Sequence, residues 1–212
     1  YSASKGAAEL VAAAYRHSFF PPERLAEHGV QLATVRAGNV IGGGDWAEDR
    51  IVTDIVRHLA AGRPVPVRNP AAVRPWQHVI EPLSGYLALA AAMLERPSAE
   101  WCSGWNFGPD AEDDITVGQL ADIFIDAWGS GSWQDVHDPR APIETHVLRL
   151  SAAKARGRLP WRPRFTAREA IRRTAAWYRA FTDDPGLARR LCMADLEAHE
   201  AAGRLQHQGA HA

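Results

Sequence analysis

A chain of 212 residues, 46% hydrophobic and 23% charged, can build one large domain or two small ones around a real core. Its formal net charge of -1 provides no global field to draw nucleic acid or an anionic membrane, and its longest apolar stretch, residues 83–94, is too short to span a bilayer. Two cysteines in unlike contexts, Cys102 and Cys192, and nine histidines without paired zinc spacing argue against a disulfide framework or a metal site. They favour a reducing compartment, and with no signal peptide the expected location is the cytoplasm. Of the 24 basic residues only Lys5 and Lys154 are lysine, so the cationic side chains are almost all planar forks suited to phosphate.

The chain opens on Tyr-Ser-Ala-Ser-Lys, inside a run with helical composition over residues 1–20 that Pro21-Pro22 stops. Tyr1 and Lys5 stand four apart, one turn up on the same helical face. A phenol is a poor base at neutral pH, and a neighbouring ammonium favours its phenolate; such a tyrosine can take a proton from a hydroxyl. The spacing alone is equally that of a surface tyrosine and lysine on an ordinary helix. Because the chain starts with Tyr rather than Met, with no capping residue ahead, it reads as a C-terminal piece of a longer protein.

A short helix or loop to Gly29 precedes a strand over residues 30–36, and a helix feeding a strand this way suits an α/β sheet. Then comes Ala37-Gly-Asn-Val-Ile-Gly-Gly-Gly-Asp-Trp46. Its glycines let backbone approach a ligand closely, with Asn39 and Asp45 as polar tips, or they make a flexible turn. It is neither a G-x-G-x-x-G fingerprint nor a P-loop. Residues 49–61 read as a helix closed by Gly62. Residues 63–70 read as a proline-punctuated edge strand, and 73–79 as a second extended segment. There Arg74 and Trp76 alternate and would share a face, able to hold a diphosphate and cover a ring, or to form a half-buried strand. Further elements are a helix over 81–95, a strand over 101–107, and a helix over 116–128 capped by Thr116 and stopped by Gly129. A strand follows over 143–150, then a short capped helix over 151–158 and a helix over 166–181 with a Thr166/Glu169 capping box. The tail is helical to about Gly203, and 205–212 is expected to be disordered.

In this order the pieces resemble the second half of the extended short-chain dehydrogenase/reductases that act on nucleotide sugars. Tyr1 and Lys5 match that family's Tyr-x-x-x-Lys. Residues 35–42 match its Arg-x-x-Asn-Val-x-Gly turn, and 73–79 its Val-Arg-Asp-Tyr/Trp-x-His-Val stretch. Trp105-Asn-Phe-Gly108 and Ala153-Lys-Ala with Leu159-Pro-Trp-Arg-Pro163 match two later motifs. Within the family the runs at 38–46, 68–79 and 81–86 look like the branch that dehydrates CDP-glucose. The resemblance implies an α/β fold: the C-terminal part of a Rossmann-like domain with a smaller α/β substrate-binding lobe. Residues 1–40 would close the NAD-binding domain and 41–182 would form mainly the lobe. Residues 81–109 would return to the Rossmann sheet, and 183–212 would be a helical, then disordered, tail.

It also implies NAD as cofactor, a nucleotide sugar (CDP-glucose) as substrate, and a homodimer for the whole protein. The reaction implied is oxidation at C4 of the hexose, loss of water across C5 and C6, and reduction at C6. Tyr1 would take the 4-hydroxyl proton, and Lys5 would tune Tyr1 and bind the nicotinamide ribose. Ala37 would face the nicotinamide. Asn39 and Arg74 would hold the diphosphate, Asp49 and Arg50 would line the hexose end, and Arg68 would border the cytidine, with Trp76 beside Arg74. The acid–base residues of the elimination and the Gly-rich NAD turn would precede residue 1, so Ser2 and Ser4 take no such role. Ala141-Pro142 departs from the family's Arg-Pro, with Arg140 one place early, and Glu144 and His146 have no assigned role. An NDP-sugar epimerase or another NDP-hexose dehydratase is the enzymatic alternative, and a non-catalytic nucleotide-binding module the other. Taken alone, the 212 residues should bind NAD weakly and aggregate, because the 30–36 strand would expose an unpaired edge.

Overall fold

A computed structural model describes residues 2–110, 113–138, 140 and 145–209 of the chain. They divide into two compact units, each threaded by three stretches: unit 1 from residues 1–37, 82–107 and 151–162, unit 2 from 38–81, 108–150 and 163–212.

Unit 1 begins with α1 (Ser2–Ser18), which the Pro21-Pro22 pair terminates as expected. After the short α2 (Leu25–His28), Gly29 closes the turn in the left-handed region at φ 68. The strand β1 (Thr34–Ala37) lies parallel to β6 (Gly104–Phe107), with Thr34 opposite Gly104 and Ala37 opposite Phe107. Both strands start later than the sequence predicts. Residues 30–33 have no strand beside them, because the stretch that precedes β6 is a helical turn, Ala99–Trp101, nucleated by the Ser98 hydroxyl accepting from the Glu100 N–H. The Gln31 side chain instead holds this approach, donating to the Met93 carbonyl (2.8 Å) and accepting from the Ser98 N–H (3.0 Å).

The helix α4 (Ile80–Glu95) continues into unit 1 from Pro82 onward. Gly85 lies against Phe107, where a Cβ would come within 2.1 Å of the ring. Trp101, Trp105, Phe107, Leu159 and Trp161 build the core. Residues 151–162, grouped with the lobe on sequence, pack in unit 1 through the α6 helix (Ala153–Arg158). The Trp161 indole N–H donates to the Ser84 hydroxyl (3.0 Å). The Lys154 ammonium sits 4.1 Å from the centre of the Trp105 ring and donates to Ser103 and to the Gly104 carbonyl. Burial, reinforced by Arg36, Arg16 and Arg158, pulls its pKa down.

Unit 2 pairs β2 (Asn39–Ile41) with β5 (Trp76–His78) in parallel, and β3 (Val65–Val67) with β8 (Trp133–Asp135) in parallel. Between these strands in the chain lies β4 (Val73–Arg74), antiparallel to β7 (Ile115–Thr116). The α3 helix (Ile51–Ala60) buries Val52, Ile55, Val56 and Leu59, an i, i+3, i+4, i+7 stripe. It starts two residues after Asp49, whose left-handed backbone cannot join it. Thr116 caps α5 (Val117–Trp128) in a full capping box with Gln119, and Gly129 ends it at φ 94. Thr166 caps α7 (Ala167–Asp183), but only half of the expected box forms. The Glu169 carboxylate turns instead to Arg173 one turn on (2.7 Å). No strand runs through 145–150; Val147 makes a single bridge to Val73, and Ile143 and Glu144 lie outside the described residues. The tail is more ordered than expected, since α8 (Ala188–Gly209) continues well past Gly203.

What fixes α8 is a buried polar cluster. Glu81, 1% exposed, accepts from the Arg164 N–H (3.1 Å) and the Phe165 N–H (2.8 Å). His199 of α8 stands 3.3 Å from Glu81, in ion-pair range though off hydrogen-bond alignment, while the Arg164 guanidinium donates to the His199 carbonyl (3.1 Å). One turn earlier, Asp195 faces His78 (3.6 Å) and accepts from Arg173 (3.3 Å). A buried carboxylate is tolerable only with such donors around it. Among the described residues no helix is long and apolar enough to cross a membrane, and no cluster of three or more His, Cys, Asp or Glu could hold a metal.

Candidate active site

The sequence-predicted residues fall into two sets, one in each unit. In unit 1, Tyr1 lies outside the described residues, and Lys5 is exposed in the first turns of α1. Ala37, half-buried, ends β1 opposite Phe107 at the end of β6. Carboxyl ends of parallel strands are where open α/β sheets take their ligands.

In unit 2, β2 opens on Asn39, whose N–H donates to the Pro75 carbonyl (3.0 Å) and which pairs with Trp76. Gly38, Gly42 and Gly43 stand where protein neighbours leave no room for a Cβ, while Gly44 takes the left-handed backbone at φ 87. A Cβ on Gly38 would lie 2.7 Å from the Pro75 oxygen, and one on Gly42 2.9 Å from Val79. On Gly43 it would fall 1.9 Å from the Trp177 ring. Beyond them the turn is pinned by side chains. The Tyr178 hydroxyl donates to the Asp45 carbonyl (2.6 Å) and accepts from the Asp45 N–H (2.9 Å). Burial pushes that phenol up to about 12, against the pull of its bond to Asp45. The Asp45 carboxylate accepts from the Ala47 N–H (3.0 Å) and from Arg50 (3.2 Å). The Thr53 hydroxyl closes the loop on the Ala47 carbonyl (2.6 Å). Asp49 is the one described non-glycine residue with positive φ, at 59, a conformation that costs about 1–2 kcal/mol. It is exposed, 3.9 Å from exposed Arg68.

Arg74 and Trp76 do not share a strand face. Pro75 separates β4 from β5, and the two strands pair with different partners. Trp76 is 4% exposed and gives its indole N–H to the Ile115 carbonyl (3.2 Å), so it is a core residue and not a cover for a ring. The Arg74 guanidinium is half-buried and donates to the carbonyls of Val73 (2.9 Å), Thr145 (2.8 Å) and His146 (3.4 Å). The last of these also accepts from the Val73 N–H (2.8 Å), so His146 contributes backbone while its ring is exposed. Glu144, Ala141 and Pro142 lie outside the described residues. The structure thus joins Asp45 to Arg50 and Asp49 to Arg68, and it adds Tyr178. Nothing in the sequence marks Tyr178 except an aromatic pair, Trp177-Tyr178, on a helix otherwise rich in Arg and Ala.

No protein-family model matches the chain. Its fold is the Rossmann-like one of epimerase and dehydratase enzymes. It aligns at TM-score 0.66 and 18% identity with dTDP-glucose 4,6-dehydratase from Bacillus anthracis, solved in complex with NAD, covering 90% of this chain and 54% of that one. A UDP-galactose 4-epimerase aligns at TM-score 0.64 and 24% identity, covering 83% of this chain and 52% of the other. By sequence the chain is 47% identical over 181 residues to CDP-glucose 4,6-dehydratase from Salmonella typhimurium, which is 85% of this chain and 50% of that protein. It is 33% identical over 182 residues to dTDP-glucose 4,6-dehydratase from Streptomyces antibioticus, 84% of this chain and 48% of the other. The chain is related by sequence to nucleotide-sugar 4,6-dehydratases, and it spans about half the length of the curated relatives it matches.

Proposed function

We propose that this chain belongs to an NAD-dependent nucleotide-sugar 4,6-dehydratase that converts CDP-glucose to CDP-4-keto-6-deoxyglucose. The 47% identity to a CDP-glucose 4,6-dehydratase carries the reading, because the fold by itself is shared with epimerases. The residues present suit the nicotinamide end of NAD: an exposed ammonium on α1 at Lys5 and the strand-end backbone at Ala37. Bound there, NAD supplies temporary oxidation at C4 of the hexose and reduction at C6 once water has left across C5 and C6.

The work of the chain's own residues is proton transfer and grip. Tyr1 takes the 4-hydroxyl proton, and Lys5 stabilises the phenolate and binds the nicotinamide ribose. Asn39 and Arg74 take the diphosphate. The three carbonyls on the Arg74 guanidinium support this role, since they fix the plane of the fork. Arg50, held by Asp45, and Asp49 face the hexose, and Arg68 borders the cytidine. A homodimer through helices that include α1 fits the exposed Leu10, Val11 and Tyr15 on that helix, and a cytoplasmic setting fits two free thiols.

The test is direct. The protein that carries this chain is incubated with NAD and, in turn, CDP-glucose, dTDP-glucose and UDP-galactose, and the products are read by NMR. A 4-keto-6-deoxy product from CDP-glucose alone is expected. Epimerisation, or no turnover of CDP-glucose, overturns the proposal.

A further inference from the structure

Resting on that reading, we infer that Tyr178 is a positioning residue for the hexose end of the site, acting through Asp45 on Arg50. One hydroxyl takes up both backbone polar groups of Asp45, its carbonyl at 2.6 Å and its N–H at 2.9 Å, which fixes the peptide planes on either side. The Asp45 carboxylate, oriented by those planes and by the Ala47 N–H, holds the Arg50 guanidinium. Trp177 sets the height of the same turn by filling the place of a Gly43 side chain, and Trp46 meets the Tyr178 ring edge-on at 5.3 Å. Asp45 and Tyr178 are 133 residues apart in the chain, so a helix remote in sequence sets where this cation stands. Tyr178 is wholly buried, so no solvent replaces its hydroxyl if that group is removed.

The experiment is Tyr178→Phe, which keeps the ring packing and deletes the two bonds. Binding of CDP-glucose and of CDP is measured in the protein that carries this chain. The expected result is loss of affinity for CDP-glucose on the order of tenfold with CDP unchanged, since only the hexose end moves. In an Arg50→Ala background the same substitution should cost nothing further, because its effect passes through Arg50. Ile171→Val, buried on the same helix, should lower the melting temperature without moving either affinity. Equal weakening of CDP and CDP-glucose, no weakening of either, or full additivity with Arg50→Ala overturns the inference. A wild-type protein that ignores CDP-glucose removes the parent reading and this one with it; a wild type that binds while Tyr178→Phe changes nothing removes this one alone.

Discussion

The two units differ in where they keep their polar side chains. Every described buried polar or charged side chain belongs to unit 2: Thr53, Gln77, His78, Glu81, Thr174, Asp195 and His199. The three most exposed large apolar side chains lie in unit 1, Leu94 at 82% and Leu87 at 72% on α4 and Leu10 at 74% on α1, although unit 2 also exposes some, Leu205 among them. In unit 1, β1 and β6 have only each other among the described residues. Apolar surface of this kind marks a face made to be covered, whereas a buried polar cluster, here ion-paired although His78 and His199 each keep a ring nitrogen without a hydrogen bond, marks a unit whose own contacts specify its shape. It follows that unit 2 should fix affinity and stability, while unit 1 should contribute chemistry and little rigidity of its own.

The sharpest way to break that contrast is Tyr1→Phe in the protein that carries this chain. Turnover should fall by ~10²–10⁴-fold while CDP-glucose affinity stays near wild type; a loss of affinity instead would put the phenol on the binding side. Glu81→Ala comes next. It strands the Arg164 and Phe165 N–H groups and His199, and should cost ~3–5 kcal/mol in urea unfolding; a near-neutral result would mean unit 2 does not depend on its buried charge. Gly43→Ala drives a Cβ into Trp177 and should cost ~1–3 kcal/mol, with weaker CDP-glucose binding. If affinity survived, the turn would not be the hexose wall. A pH series sharpens the same point. The Tyr178 phenol is raised from 10 to about 12 in the folded chain, so the stability tied to its proton is complete below 10 and is lost as pH climbs towards 12. Tyr178→Phe should flatten that alkaline decline; an unchanged slope would mean the hydroxyl is not held as described. Leu94→Glu should be the mildest, altering stability by no more than about 0.5 kcal/mol while improving the solubility of the 212 residues, as read by sedimentation.

Local chemistry was legible where a signal and its effect lie within one turn. Thr116 and Gly129 delimit α5 as read, and Pro21-Pro22 stops α1. Where a residue had a choice of partners, the sequence misled. Glu169 could return to the Thr166 backbone or reach Arg173, and the arginine won. Alternation placed Arg74 and Trp76 on one face, but Pro75 divides the strand and sends each half to a different neighbour. The glycines at 38, 42 and 43 were visible; their reasons were not, because Pro75, Val79 and Trp177 come within reach only after folding. The same holds for Tyr178. Asp195 and His199 at i, i+4 on an otherwise mixed helix were a faint sign that the tail docks, but nothing nearby named Glu81 and His78 as their counterparts.

Glu81 is translated well before its partners, for its donors sit 83 and 84 positions downstream and its histidine lies farther still. A ribosome must therefore release α8 as far as His199 before that carboxylate has its full company, and until then the half-made lobe waits with a carboxylate short of partners at its heart. Chaperone demand during synthesis should accordingly be highest between the emergence of residue 81 and that of residue 199, and slowing elongation over that interval should lower the soluble yield more than slowing it upstream of residue 81.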